Sequence, residues 1–287
     1  MKKCLVTTTV LMVFAVFFTA CDKDGIYNPK EKIKTISYST GDTKVLQETW
    51  TWDKNLLTKI TYNSEDGDYT TFEYDKKQVS KIIEYSEGVE DGYMLFTYDK
   101  ALLQKMEMFY DGNLTMKAEV THDKKKITKI TITEVDLEEF ATTKSLDYKQ
   151  FLTRMMRFVV GKESAKIITQ HLLLKSDNSY SIEFIYEGDN VKTEKLTALG
   201  VNIYTIAYTY DDKMNPFCDA LYYGESGAIS MSKNNVLTAK QTSAMEEASM
   251  ETEYTYVYDG KWPTEQKTTF SYYGQTFSET YYYEYLD

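Results

Sequence analysis

From Thr71 to Tyr85 the chain reads TFEYDKKQVSKIIEY: apolar and polar residues alternate, a Tyr-Asp pair follows, and after a lysine-rich turn the alternation resumes. Period two over runs this short predicts two β-strands joined as a hairpin, with one apolar face. The unit recurs. Counting the Tyr of Tyr-Asp as position zero, copies fall on Asn28, Trp52, Tyr74, Tyr98, His122, Asp147, Tyr186, Tyr210, Met231 and Tyr258, at intervals of 21 to 27 residues apart from 39 after Asp147. Self-similarity at this period implies one supersecondary unit used repeatedly.

Two residues before position zero stand Trp50, Phe72, Phe96, Val120, Phe184, Tyr208, Ile229 and Tyr256, on the same strand face as position zero, while Thr51, Glu73, Thr97 and Thr121 point the other way. Position five (Ile33, Leu57, Val79, Leu103, Ile127, Leu152, Val191, Val236) and position eight (Ile36, Ile60, Ile82, Met106, Ile130, Met155) make the second strand apolar at regular places. The expectation is a sheet with one aromatic and one polar face. Between positions zero and five lie DKNL, DKKQ, DKAL and DKKK, a length that predicts four-residue loops built on type I turns, the Asp accepting backbone N–H groups just ahead. In the long interval, Lys166 to Leu174, KSDN and Ser179 to Tyr186 read as strand, turn, strand. The preceding FLTRMMRFVV also fits a helix, and strand is preferred. FSETYYYEYL, Phe277 to Leu286, predicts a strand at a sheet edge.

These elements predict an all-β fold, an extended antiparallel meander of repeated β-hairpins, curled or partly closed, in a single domain over 28–287. Its aromatic ladder must be covered by the sheet curling on itself or remain a binding surface. Core is the expected fate, because cross-strand aromatic pairs hold a thin sheet together.

The composition agrees, with 26 Tyr and 13 Phe against 3 Pro and 2 His. Residues 1–20 have the layout of a secretory signal: two lysines, then an apolar run from Leu5 to Ala20 too short for a permanent membrane span. The ending Thr19-Ala20-Cys21 resembles the lipobox of bacterial lipoproteins, which implies that Cys21 is acylated and becomes the first mature residue. Several acyl chains on one cysteine suffice for stable anchoring. Residues 21–27 then form the lipidated cysteine and a flexible tether, whose Asp22 and Asp24 loosely resemble a surface-sorting signal. Removing Lys2 and Lys3 leaves 31 basic and 44 acidic residues, a charge of −13, which excludes nucleic acid and direct adhesion to an anionic membrane surface as expected partners. Membrane contact is expected through lipid alone. Cys218 is the single thiol of the folded part, so no intramolecular disulfide is expected.

The turns carrying Lys54, Lys76, Lys77, Lys100 and Lys124 to Lys126 should line one rim of a meander. The acidic loops NSEDGD (Asn63 to Asp68) and SEGVEDG (Ser86 to Gly92) should line the other.

Little else suggests chemistry. His122 fills a repeat position and His171 sits in an apolar run, so both read as structural. There is no G-x-S-x-G elbow, no Cys/His spacing suited to zinc, and no phosphate loop. NSEDGD lacks the later Glu of a calcium loop. No pair of acids stands out for glycosidase work. No catalytic residue, metal or cofactor is expected, and a glycan-processing enzyme is the least favoured reading.

The recurring Y-D-x-x-x-apolar unit resembles the YD repeats of Rhs-type proteins. The whole chain, with YDDKMNPF at Tyr210 to Phe217 and SKNNV at Ser232 to Val236, resembles uncharacterised repeat lipoproteins of Gram-negative envelope systems. The resemblance implies antiparallel hairpins in a long curling sheet and a lipid-anchored place in the envelope, at the outer membrane, without implying an activity. The leading expectation is a non-enzymatic structural or interaction module with a glycan or protein partner not specified by the sequence. The alternative is a carbohydrate-binding surface on which Trp50, Trp52 and Trp262 stack on sugar rings.

Overall fold

The computed structural model describes residues 24–286 apart from 40, 42, 65–66, 136–145, 162–164, 166–167, 170–178, 221–226, 244–248 and 273–274. The strands follow the chain as β1 (Ile33–Ser39), β2 (Val45–Asp53), β3 (Leu56–Tyr62), β4 (Tyr69–Asp75), β5 (Gln78–Ser86), β6 (Val89–Asp99), β7 (Leu102–Tyr110), β8 (Asn113–Asp123) and β9 (Lys126–Glu134). Helix α1 (Leu146–Val160) intervenes, followed by β10 (Ser179–Glu187), β11 (Asn190–Ala198) and β12 (Val201–Met214). The short helix α2 (Gly227–Ser230) precedes β13 (Asn234–Ser243), β14 (Ser249–Asp259), β15 (Trp262–Tyr272) and β16 (Gln275–Tyr285). Every strand pairs antiparallel with its sequence neighbour, and β16 returns to pair with β1, so the meander closes into a barrel of sixteen strands. The aromatic strand expected at a sheet edge is thus the closing seam, with Ile36 opposite Tyr283 and Tyr38 opposite Tyr281. Closure removes the unpaired edges that an open sheet would expose.

A bulge explains the repeat. Across β2 and β3, Trp50 pairs with Ile60, Thr51 with Lys59 and Trp52 with Leu57, leaving Thr58 as an extra residue. Positions five and eight, three residues apart, therefore face the same side, which unbroken period two would forbid. The Thr58 hydroxyl donates to the Thr51 carbonyl, and Thr128 and Thr264 do the same for Thr121 and Val257. The shift recurs just before Tyr74, Tyr98, His122, Tyr186, Tyr210 and Tyr258. Bulges increase local twist, which helps a long sheet close.

Position zero has a second role. Its side chain reaches back to the carbonyl at position five of the preceding hairpin: Trp52 to Ile33 (2.8 Å), Tyr74 to Leu57 (2.6 Å), Tyr98 to Val79 (2.9 Å), Tyr186 to Ile127 (2.9 Å) and Tyr210 to Val191 (2.6 Å). Tyr285 repeats the bond to Pro263. These bonds stitch the hairpins together at their bulges.

The Tyr-Asp turns are tighter than the sequence suggests. Asp53 pairs with Leu56, Asp75 with Gln78, Asp99 with Leu102 and Asp123 with Lys126, so two residues, not four, form each loop. Lys54, Lys76, Lys100 and Lys124 take the left-handed conformation (φ 50–58°) that Gly188 and Gly260 supply in later copies. Lys77 adopts it as well, so Lys76-Lys77 matches the primed turns that suit strand twist.

Two positions in the repeat count belong to other structure. Asp147 lies in α1, and Met231 follows α2. FLTRMMRFVV is helical, and so are Ala165, Ile168 and Thr169 beyond it, which corrects the strand reading. His171 and the rest of 170–178 lie outside the described residues, and β10 forms as expected. Phe151, Leu152, Met155, Met156, Phe158, Val159 and Val160 recur at helical spacing, and all are buried.

Those side chains fill part of the barrel. Sixteen strands ordinarily enclose a water-filled channel. Here Trp50, Phe72, Phe96, Val120 and Phe184 point inward with their cross-strand partners and pack round α1 as one core. Gly92 on β6 allows the closest approach, since a Cβ there would lie 2.3 Å from the Phe109 carbonyl and 2.6 Å from the Phe151 ring.

The outer wall is largely polar, with the stacked pairs Tyr69–Tyr85 and Tyr93–Phe109 and exposed Ile185 and Val257 among its apolar residues. On that face Glu73 sits beside Lys81, Lys105 beside Glu119, Lys129 beside Glu183 and Thr51 beside Lys59. A barrel that crosses a bilayer presents an apolar band there, and each lysine at the midplane would cost about 2–4 kcal/mol. The apolar face is mainly inside and the charged face outside.

Candidate functional site

Helix α1 occupies one part of the interior, and beside it lies a cavity of about 420 Å³. Its wall is the continuous arc of β3, β2, β1, β16, β15, β14 and β13, with Arg157 reaching in from α1. Buried Asn215 and Phe217 line its far end. The Asn215 amide holds that end by donating to the carbonyls of Ile229 (2.7 Å) and Ser232 (2.8 Å) and accepting from the Phe217 N–H (2.9 Å). At the rim of the acidic loops, exposed Gln47, Asn63 and Ser64 line the opening to water.

Tyrosine dominates the lining through Tyr38, Tyr62, Tyr256, Tyr281 and Tyr283. Glu48 accepts the Trp50 indole N–H at 2.9 Å, and Glu279 accepts the Tyr281 hydroxyl at 3.1 Å. Gln266 accepts from Tyr283 (2.8 Å) and donates to Thr268 (3.2 Å). Arg157 bonds the Tyr62 hydroxyl and lies over its ring, 4.7 Å from the centroid. Burial holds the Tyr62 phenol well above its ordinary range, with Arg157 opposing the shift. The Tyr38 phenol is also raised, by desolvation and by the Glu279 charge. Both tyrosines stay neutral at physiological pH and offer hydroxyl groups, not charges.

Deeper in, Glu84 is fully buried and accepts the Thr70 hydroxyl. Arg154 on α1 meets Glu84 at 3.4 Å and Asp68 at 3.3 Å, and also bonds Asp91. Asp68 and Asp91 belong to the acidic loops, so part of that rim's charge secures the helix.

At the lysine rim Asp24 enters the barrel. Its carboxylate accepts the Leu103 N–H (2.8 Å) and the His122 Nε2–H (2.7 Å), while its carbonyl accepts from Gln78 (2.8 Å). Gly25 accepts the Val79 N–H, and Tyr27 is buried against Trp50 and Trp52. Residues from Asp24 onward are therefore docked and do not act as a free tether, and Asp24 is taken up in the fold. His122 is structural, as expected: it supplies the bond to Asp24 where other copies have a tyrosine bonding the preceding hairpin.

The three indoles do not form an exposed platform. Trp50 is 3% exposed, Trp52 is half-buried and bonds Ile33, and Trp262 packs beside Tyr285 at 6.4 Å. None of them lines the cavity. Cys218 is half-buried, and Cys21 lies outside the described residues. Sequence reasoning missed the cavity's tyrosines and glutamates. One signal was available, because Gln266 occupies position eight of its copy and Tyr38 and Tyr62 the next inward position, where the copies at Tyr98 and His122 are apolar throughout.

No family model matches this chain, and no curated protein does. Among solved structures it is similar to a porin-like protein from Bacteroides vulgatus ATCC 8482, at 9% identity and a TM-score of 0.54, covering 89% of this chain and 99% of that one. A porin-like protein from Bacteroides uniformis ATCC 8492 matches at 12% identity and 0.49, over 88% and 98%. The first likeness carries the fold, an all-β antiparallel barrel, and the site described above is this chain's own.

Proposed function

We propose that this chain is a non-enzymatic module of a Gram-negative cell envelope, anchored to the outer membrane by lipid on Cys21, with its barrel in water and its lysine rim toward the lipid. The observation that carries this reading is the charged outer wall around an interior partly filled by α1 and its apolar core. A wall of that kind does not suit a pore through a bilayer, so attachment has to come from elsewhere in the chain, and the lipobox-like Thr19-Ala20-Cys21 provides it. Three residue steps lead from Cys21 to docked Asp24, a reach of about 10 Å when extended. That short span favours a barrel seated with Lys54, Lys76, Lys77 and Lys100 near the headgroups. The cavity then opens at the opposite rim, away from the membrane. The resemblance to YD-repeat lipoproteins points the same way.

Growth with an alkyne-bearing palmitate tests the anchor. The expected result is label on the wild-type protein, none on Cys21→Ser, and release of that variant from membranes by salt or carbonate. Label that survives the substitution, or stable membrane retention without it, overturns the proposal.

A further inference from the structure

We infer that the interior cavity is a binding site for a small, neutral, polyhydroxylated ring compound of the sugar class. The volume of about 420 Å³ falls in the range of small-molecule sites, and the opening past Gln47, Asn63 and Ser64 gives access from water. The chemistry of the walls narrows the class.

An alkyl chain would leave Glu48 and Glu279 facing hydrocarbon, and burying charge without polar partners is costly. An anion would meet those same carboxylates, and Arg157 already serves Tyr62 and lowers the energy of charged Glu84. A cation would share the cavity with the Arg157 guanidinium. A neutral polyol meets none of these conflicts. Its hydroxyls donate to the Glu279 carboxylate and accept from the Tyr38 O–H, and its C–H faces lie against phenol rings. Tyr38 and Tyr281, with centroids 5.4 Å apart, form such an aromatic wall beside Glu279. The Glu279 carboxylate takes one bond from Tyr281 and carries about four acceptor sites in all. Glu279, Tyr38 and Tyr281 are thus the residues through which a sugar would be held. The inference does not depend on lipid at Cys21.

Calorimetry and intrinsic tryptophan fluorescence, to which Trp50 with its N–H held by cavity-lining Glu48 contributes, test it on the purified mature protein. The probes are glucose, galactose, N-acetylglucosamine and maltose, with choline, citrate and decanoate as charged and apolar comparisons. At least one sugar should bind, and Glu279→Ala should weaken it tenfold or more. Val236→Phe, which fills the cavity from the wall, should abolish binding. The outer-wall variant Thr97→Ala should bind as wild type does, and unfolding curves establish that each variant is folded. Binding of none of the four sugars, tighter binding of a comparison compound, or sugar affinity unchanged in both folded cavity variants would overturn the assignment.

Discussion

Tyr74 donates its hydroxyl to the carbonyl of Leu57, 2.6 Å away on the preceding hairpin, where the β3 bulge opens the ladder. Bulges leave a backbone group without its ladder partner, and a buried carbonyl without a donor is costly. The tyrosine of Tyr-Asp therefore serves the neighbouring unit as well as its own. Tyr98 and Tyr210 repeat the relationship.

Tyr74→Phe, Tyr98→Phe and Tyr210→Phe should each destabilise by about 1–3 kcal/mol in urea unfolding, the cost of a buried acceptor left without its donor. Thr97→Ala on the outer wall should stay within about 0.5 kcal/mol. Equal effects at the two kinds of site would contradict the stitching role.

Gly92→Ala should cost about 1–3 kcal/mol or more, because its methyl group would collide with the Phe109 carbonyl and the Phe151 ring. Adding Phe151→Ala removes only the second collision. The double variant should lose less stability than the two single changes combined, which a double-mutant cycle measures. Strict additivity would mean that helix and strand do not meet at this point.

Arg154→Met leaves Glu84 buried beside α1 with Arg157 as its remaining arginine. Breaking a buried pair typically costs about 3–5 kcal/mol, and with Arg157 and Thr70 still beside Glu84 the loss should fall below that range. Adding Glu84→Gln should recover part of that loss in chemical denaturation. No recovery would separate Arg154 from Glu84 and leave its role to Asp68 and Asp91.

Burial raises the Glu84 carboxyl above its ordinary range, with Arg157, the Thr70 hydroxyl and Arg154 offsetting the shift in part. Between the unfolded value of about 4.3 and the raised folded value, the folded protein binds more protons than the unfolded chain. This group's contribution is therefore most favourable below the unfolded value and declines as pH rises through the folded one. Between about pH 4 and pH 7 the urea midpoint of Glu84→Gln should fall less, or rise more, than that of wild type. Parallel profiles would remove Glu84 as the source.

Asp24→Ala removes the acceptor for both the Leu103 N–H and His122. Hydrogen exchange should rise first at Leu103 and Val79, where residues 24 and 25 dock. Unchanged protection at both amides would mean that the docked segment contributes nothing to holding that end.

The alternation in TFEYDKKQVSKIIEY determined the hairpins, which face of each strand turns inward, and the antiparallel neighbour pairing, because strand period and turn chemistry are local. The bulge was present in the three-residue step from position five to position eight, yet it became legible only once both residues proved to face the core. Part of the site was marked in the same way, by Gln266, Tyr38 and Tyr62 at inward positions where other copies are apolar. Tertiary structure alone decided that β1 meets β16, since that pairing joins residues such as Ile36 and Tyr283 from opposite ends of the chain. It also decided that Phe151 to Val160 form a helix, because an apolar run this short suits strand or helix equally until a barrel interior offers it a surface to cover. The cavity and the docking of Asp24 depend on that closure. Both are properties of space enclosed by distant strands, which no local pattern of residues specifies.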